Sequence, residues 1–146
     1  MVIDLKDIVS ISGYRGLFKS IKPTRHGLMV ESLDDRNKRS IKRPQDHEMA
    51  TLEDIGVYTT GKAETLPLSA ILWRLHAEFA ALVHADLYDT PGKLCTLMAR
   101  IVPNYDPKRV HPSNIRKIIH WYNILVKHAP ELFSAAVQEI PSDSLK

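Results

Sequence analysis

The spacing of hydrophobic residues changes near residue 62. Before it, short segments alternate apolar and polar residues and are separated by Gly, Pro, Asn and Asp. After it, apolar residues recur every three or four positions over long stretches. Alternation is typical of half-buried strands, and the longer period is typical of helices with one buried face. The pattern predicts an α+β protein, with a small β-barrel domain at residues 1–62 and a helical domain at residues 63–146.

Five short strands are predicted in the first domain, over residues 9–12, 17–22, 28–33, 38–43 and 56–60. Gly13, Gly16 and Gly27 fall between strands, where glycine readily adopts the positive φ angles of tight turns. Residues 4–8 and 51–54 each predict a single helical turn. This order of elements indicates a small five-stranded Src-homology-3-like barrel. A domain of this size buries only about 60% of its unfolded surface, so we expect it to depend on the helices.

Three or four helices are predicted in the second domain. The first has an apolar stripe over residues 68–83. Thr90 and Pro91 are a typical N-cap and first residue for the second helix. Ser113 is the expected N-cap of the third helix, which ends at a proline. A short fourth helix is expected over residues 131–137, so the second domain is predicted to be a three- or four-helix module.

Composition agrees with a folded, soluble protein. Hydrophobic residues make up 44% of the 146 positions and charged residues 25%, and the net charge is +3 with a pI near 9.0. This mild basic excess permits contact with nucleic acid or an anionic surface. Asp4 and Asp7 occupy the place of an export signal's apolar core, and no apolar run is long enough to span a membrane. Because Cys95 is the single cysteine, no intrachain disulfide is possible, and we expect a cytoplasmic protein with no membrane partner.

The residues that could carry chemistry form no catalytic or metal-binding motif. Residues 56–62 have the spacing of a phosphate-binding loop, but Ala63 follows where that motif needs Ser or Thr. None of the seven histidines is paired with another at the i, i+4 spacing of helical metal sites. Cys95 lies among apolar residues and is expected to behave as one of them. We therefore predict a protein that is not an enzyme, with no catalytic residue, metal, cofactor or small-molecule substrate.

Basic residues form the most distinctive pattern in the chain. Residues 8–30 and 107–130 contain no acid, and residues 36–43 contain five basic residues. A cationic surface beside an aromatic side chain can contact phosphates and stack bases. We predict a non-enzymatic binding module that contacts nucleic acid, RNA in preference to DNA, through strands two to four and the polar side of the third helix. The candidate residues are Arg15, Lys19, Lys22, Arg25, Arg36, Lys38, Arg39, Lys42, Arg43, Arg116, His120 and Lys127.

A second hypothesis accounts for the same features without nucleic acid. Charged residues on a strand also prevent sheets from pairing edge to edge, and the basic face of a helix is commonly just solvated. Exposed apolar side chains of the helices would then bind a protein partner or a second copy of the chain. The candidate interface residues for this protein-interaction or assembly module are Trp73, Trp121 and Ile124. The sequence leaves both hypotheses open.

Four phrases carry a resemblance to known proteins: SISGYRGLFKSI, GLMVESLDD, TLEDIGVYTT and KRVHPSNIRKIIHWYNIL. With them, the chain from about residue 4 to residue 129 resembles a family of small bacterial proteins classified as a domain of unknown function. The resemblance implies an amino-terminal barrel-like domain, a carboxy-terminal helical domain and an intracellular location. It implies no catalytic or ligand-binding residue.

Overall fold

The structure is a computed structural model that describes residues 5–14, 16–33, 38–43, 45–62 and 64–133. Strands dominate its first part and helices its second, which confirms the predicted α+β class. Most of the predicted fourth helix lies outside the described residues, although residues 131–133 are helical. Within the part of the chain that is described, no helix has the length and apolar character needed to cross a membrane.

The first part is a five-stranded antiparallel sheet. Its strands are β1 (Ile8–Ile11), β2 (Leu17–Thr24), β3 (Gly27–Ser32), β4 (Arg39–Lys42) and β5 (Met49–Thr51). The first four follow one another as a meander, and β5 adds beside β1, so the spatial order is β4-β3-β2-β1-β5. Val9 therefore has Phe18 of β2 on one side and Thr51 of β5 on the other. The four strands of the meander confirm the alternation seen in the sequence.

The prediction of a closed barrel is wrong at its last strand. The segment predicted to close it, residues 56–60, forms β6 (Gly56–Tyr58), which pairs with β7 (Thr65–Pro67) outside the sheet. The other side of β6 bonds to residues 104–106, where the Asp106 N–H donates to the Tyr58 carbonyl at 2.9 Å. Both edges of β6 are therefore occupied. Among the described residues the two edge strands, β4 and β5, do not pair with each other, so the sheet is not closed into a Src-homology-3-like barrel.

In the described residues three α-helices follow, close to the predicted positions. They are α1 (Leu68–Phe79), α2 (Pro91–Ile101) and α3 (Pro112–His128). Thr90 is the N-cap of α2 as predicted, and its Oγ1 accepts the Lys93 N–H at 3.3 Å. Ser113 is not the N-cap of α3, because that helix begins one residue earlier at a proline. His111 takes the N-cap position, and its N–H donates to Asn114 Oδ1 at 2.9 Å.

Buried side chains form two hydrophobic clusters of different size. The larger cluster joins residues of all three helices to one face of the sheet, including Ile8 and Leu17. The 3-10 helix Leu52–Asp54 lies at this junction, in contact with both β1 and α1. The smaller cluster lies on the other face of the sheet and consists of Val9, Ile11, Phe18 and Val30. The two clusters follow from the alternation along β1, which sends neighbouring side chains to opposite faces.

Candidate binding groove

A groove of about 970 Å³ lies between the end of β1 and α3. Its first wall is β1 with the turn that follows, residues 10–14, and its second wall is α3. Its third wall is formed by Ala85, Asp86, Tyr88 and Asp89, in the segment between α1 and α2. The volume is at the upper end of the range for small-molecule sites. The polar α3 side chains that line it are Ser113, Arg116, Lys117, His120 and Asn123.

The third wall is held in place by α3 itself. Helix α1 ends where Ala80 adopts a left-handed conformation, with φ of 56°, and turns the chain toward α3. There the Tyr122 hydroxyl donates to the Ala81 carbonyl at 2.7 Å. The Asn123 side chain accepts the Val83 N–H and donates to the Val83 carbonyl, both at 2.8 Å. These three hydrogen bonds fix the path of the segment that leads to the third wall.

The Tyr122 contact persists across the ordinary pH range. The side chain is 0% exposed, and burial raises the pKa of Tyr122 to about 12. A phenol in an apolar environment resists ionisation because the charged form is poorly solvated there. The hydroxyl therefore stays protonated and continues to donate to Ala81.

The α3 wall of the groove is positive. Arg116, Lys117 and His120 line it, and all three are exposed. Residues 107–130 contain no acid, so the helix itself supplies no opposite charge. Lys117 Nζ lies 5.9 Å from the centre of the Trp121 ring, a cation–π distance. This arrangement suits an anionic ligand.

The other two walls carry hydroxyl groups and two acids. Ser10 and Ser12 line the groove on the β1 side, and Ser12 Oγ accepts the Glu48 N–H at 3.0 Å. Asp86 and Asp89 belong to the third wall, and Asp89 Oδ1 lies 3.2 Å from Lys93 Nζ, so its charge is partly offset. Within the described part of the chain, no three or more His, Cys, Asp or Glu side chains gather where they could hold a metal ion.

Tyr14 lines the groove from the turn after β1, and it is 43% exposed. Lys42 Nζ donates to the Tyr14 hydroxyl at 3.0 Å and lies 4.3 Å from the ring centre. Phe18 and His47 meet the same ring edge-on, with ring centres 5.6 and 5.5 Å away. Three side chains from different strands and loops thus fix an aromatic ring that would otherwise move with the turn.

On α3, the structure brings two of the three predicted nucleic-acid residues into the groove. Arg116 and His120 line it, whereas Lys127 is exposed and is not among the lining residues described. Lys117 also lines the groove, although the sequence analysis did not include it among the candidates. Its position next to Arg116 and three residues before His120 was the available signal, since residues with this spacing share a helix face.

The predicted cations of the sheet do not line the groove in the described part of the chain. Arg39 forms an ion pair with Glu31 at 3.0 Å, and Arg43 forms one with Asp46 at 3.2 Å. Lys19 is half-buried and lies in the same cross-strand row as Glu31 and Arg39. Both ion-paired arginines remain exposed, as are Lys22, Arg25 and Lys38. Outside the described residues lie Arg15 and Arg36.

The residues predicted to form a protein interface are mainly buried. Trp121 is 7% exposed and Ile124 is 6% exposed, and both belong to the larger cluster. Trp73 is half-buried and packs against the same cluster. The segment between α1 and α2 bonds to Tyr122 and Asn123, a contact that the periodicity of α3 cannot reveal. Trp121 and Ile124 therefore present almost no exposed apolar surface to a partner.

Comparisons with known proteins place the chain beside two families and one solved structure. Residues 5–48 match DUF5606 and residues 55–125 match DUF6852, each described as a domain of unknown function. A solution NMR structure from Bacteroides vulgatus, a structural genomics target, is 36% identical, with a TM-score of 0.69. The likeness covers 88% of this chain and 95% of that one. No curated protein matches. The findings confirm the resemblance to a small domain-of-unknown-function family, and the groove is lined from both matched segments.

Proposed function

The chain belongs to the family of proteins in which DUF5606 precedes DUF6852, and we propose that it is a non-enzymatic module that binds nucleic acid, RNA in preference to DNA. The positive wall of the groove carries the proposal, because Arg116, Lys117 and His120 line one open cavity from a helix segment without acids. Cations so placed neutralise phosphates and release their counterions, which supplies most of the affinity for a nucleic acid.

The opposite wall supports the preference for RNA. Ser10 and Ser12 line the groove across from the cations, and the Ser12 hydroxyl, which accepts the Glu48 N–H, still has its own proton to donate. A ribose 2′-hydroxyl both donates and accepts hydrogen bonds, and contacts of this kind are how proteins distinguish RNA from DNA. Lys19 and Lys22 on β2, and Arg25 in the turn after it, remain candidates for contacts with a longer nucleic-acid strand that extends beyond the groove. The proposal places the module in the cytoplasm and assigns it no catalytic residue, metal or cofactor.

Salt dependence of binding tests the proposal. Short single strands of RNA and of DNA with the same sequence are titrated into the protein at several salt concentrations, and binding is followed by anisotropy of a label on the strand. We expect RNA to bind more tightly than DNA. In a plot of the logarithm of the binding constant against the logarithm of the salt concentration, Arg116→Gln and Lys117→Gln should each make the slope shallower by about 0.7. This is the value for one phosphate contact on a single strand.

A matched control lies on the same helix. Lys127→Gln removes the same charge from α3 outside the groove, so the salt dependence should remain that of the unmodified protein. All three variants change exposed residues and should unfold at nearly the same temperature as the parent. An equal loss of slope in Lys127→Gln would show that binding does not use the groove. If neither polymer binds at low salt, the nucleic-acid proposal is wrong.

The alternative proposal, a protein-interaction or assembly module, draws on other residues than those predicted for it. Leu82 and Leu87 are 42% and 63% exposed, and both lie in the segment between α1 and α2. Exposed leucines close together in the chain suit a protein partner or a second copy. This alternative requires concentration-dependent association in sedimentation, and Leu87→Asp should abolish it. A strictly monomeric chain that binds RNA favours the first proposal.

A further inference from the structure

We propose that Tyr14 stacks on an unpaired nucleobase whose phosphate lies at Arg116 and Lys117, so that the groove takes single-stranded rather than duplex nucleic acid. This inference rests on the proposed function. The proposed function assigns side chains that contact phosphate, and this inference assigns the side chain that contacts a base. The juxtaposition that supports it is an exposed ring and a positive helix wall lining the same groove.

Tyr14 is the exposed aromatic residue among those described in the lining. Trp121 also lines the groove, but it is only 7% exposed and belongs to the larger cluster. Tyr88 is half-buried and meets Phe79 edge-on, with ring centres 6.4 Å apart. Tyr14 keeps 43% of its surface open. Because Lys42 Nζ lies over one face of the Tyr14 ring, a base that enters the groove stacks on the opposite face.

The ring of Tyr14 is held before any ligand arrives. Lys42 holds its hydroxyl and lies over the ring, and Phe18 and His47 support it from the side. A side chain that is already ordered loses little further conformational entropy on binding, so more of the stacking energy appears as affinity.

Stacking on Tyr14 requires a base with a free face, and this requirement selects an unpaired base. In a duplex both faces of each internal base are covered by its neighbours, so a side chain that needs a free face can stack only on an unpaired or terminal base. The same chemistry, a base joined to a phosphate, is also offered by a free nucleotide. A strand has further phosphates that reach the cations, and it should bind more tightly than the free nucleotide for that reason.

The test compares ligands that differ in one group. The probes are a short oligoadenylate RNA, a sugar-phosphate strand of the same length without bases, the oligoadenylate paired with its complement, and adenosine monophosphate. Tyr14→Leu removes the ring, and Tyr14→Phe keeps it while removing the bond to Lys42. We expect Tyr14→Leu to weaken oligoadenylate binding roughly five- to 150-fold, the range for loss of one aromatic stack.

The controls separate stacking from charge and from folding. Tyr14→Phe should keep most of the affinity. Tyr14→Leu should leave both the abasic strand's affinity and the salt dependence unchanged, because the phosphate contacts remain. A fluorescent base, 2-aminopurine, placed in the strand should lose emission when it stacks on the unmodified protein, and this measurement needs no variant.

The outcomes distinguish this inference from the function on which it rests. If the abasic strand binds as tightly as oligoadenylate, or if the duplex binds more tightly, the stacking inference is wrong while nucleic-acid binding stands. If adenosine monophosphate competes at the same concentration as the strand, a free nucleotide is the occupant and the single-strand inference is wrong. If none of the polymers binds at low salt, the proposed function is wrong and the inference falls with it.

Discussion

The two faces of the sheet have different partners. One face, which carries Ile8 and Leu17, is covered by the helices and belongs to the larger cluster. The other face packs only a few residues together, and Phe18 of that cluster supports Tyr14 in the turn after β1. The comparison teaches that the two clusters have separate roles. The larger cluster holds the sheet to the helices, whereas the smaller one joins side chains of β1, β2 and β3 and contacts the turn at the first wall of the groove through Phe18.

The largest effect is expected when the helices are removed altogether. A chain of residues 1–62 keeps the smaller cluster but exposes Ile8, Leu17 and Leu52, which are buried in the full protein. Because a segment this short buries too little surface alone, we expect no cooperative unfolding transition. Circular dichroism on heating, with the full chain as the control, makes the measurement. A sharp transition near that of the full chain would show that the first domain folds independently.

A smaller effect comes from making the same truncation on the two faces of one strand. Ile8 is 0% exposed in the larger cluster and Ile11 is 1% exposed in the smaller one. We expect Ile8→Ala to cost about 4 kcal/mol and Ile11→Ala about 2 kcal/mol, because the surroundings of Ile11 can close around the cavity more easily. Urea unfolding of both variants measures the difference. Equal costs would mean that the smaller cluster is packed as rigidly as the larger one.

The smallest effect concerns a polar contact inside the larger cluster. Tyr122→Phe keeps the ring but removes the hydrogen bond to Ala81, and we expect a loss of about 1 kcal/mol. In the folded protein burial raises the pKa of Tyr122 from 10.0 to about 12. Folding therefore favours the neutral phenol. The stability that Tyr122 contributes is fully present below pH 10 and is lost as the pH rises through 12.

The alkaline part of this prediction is measured by urea unfolding at several pH values between 8 and 12, together with tyrosinate absorbance. The parent protein should lose stability above pH 10 more steeply than Tyr122→Phe, and the variant should lack the last step of the tyrosine titration. Parallel losses of stability in the two proteins would contradict the assignment of the raised pKa to Tyr122.

Sequence patterns predicted the elements that depend on local signals. Thr90 followed by a proline marks the start of α2, and alternation marks β1 to β4. The position of β5 is different, because it is decided by the free edge of β1 about 40 residues earlier in the chain. Nothing within residues 49–51 reveals that edge. The sequence analysis therefore assigned the fifth strand to the alternating residues 56–60.

The candidate site shows the same division. The cations of α3 follow from helical spacing, but the bonds from Tyr122 and Asn123 to the segment between α1 and α2 do not. Tyr14 was outside the predicted set although its position carries a signal. A large aromatic residue between Gly13 and Gly16 lies in a turn, where strand alternation provides no buried side for it. Such a residue needs either a special contact, as Lys42 provides here, or a ligand.

The order of the two parts along the chain has a consequence during synthesis on the ribosome. The sheet is complete at Thr51, whereas α3, which contributes to the larger cluster, ends at His128. At translation rates of about 5–20 residues per second, the apolar face of the sheet waits on the order of 4–15 seconds for that helix. During this time the nascent chain presents Ile8 and Leu17 without their final cover. The protein is therefore most exposed to chaperones and to aggregation before α3 emerges, and a ribosomal pause upstream of that helix lengthens the interval.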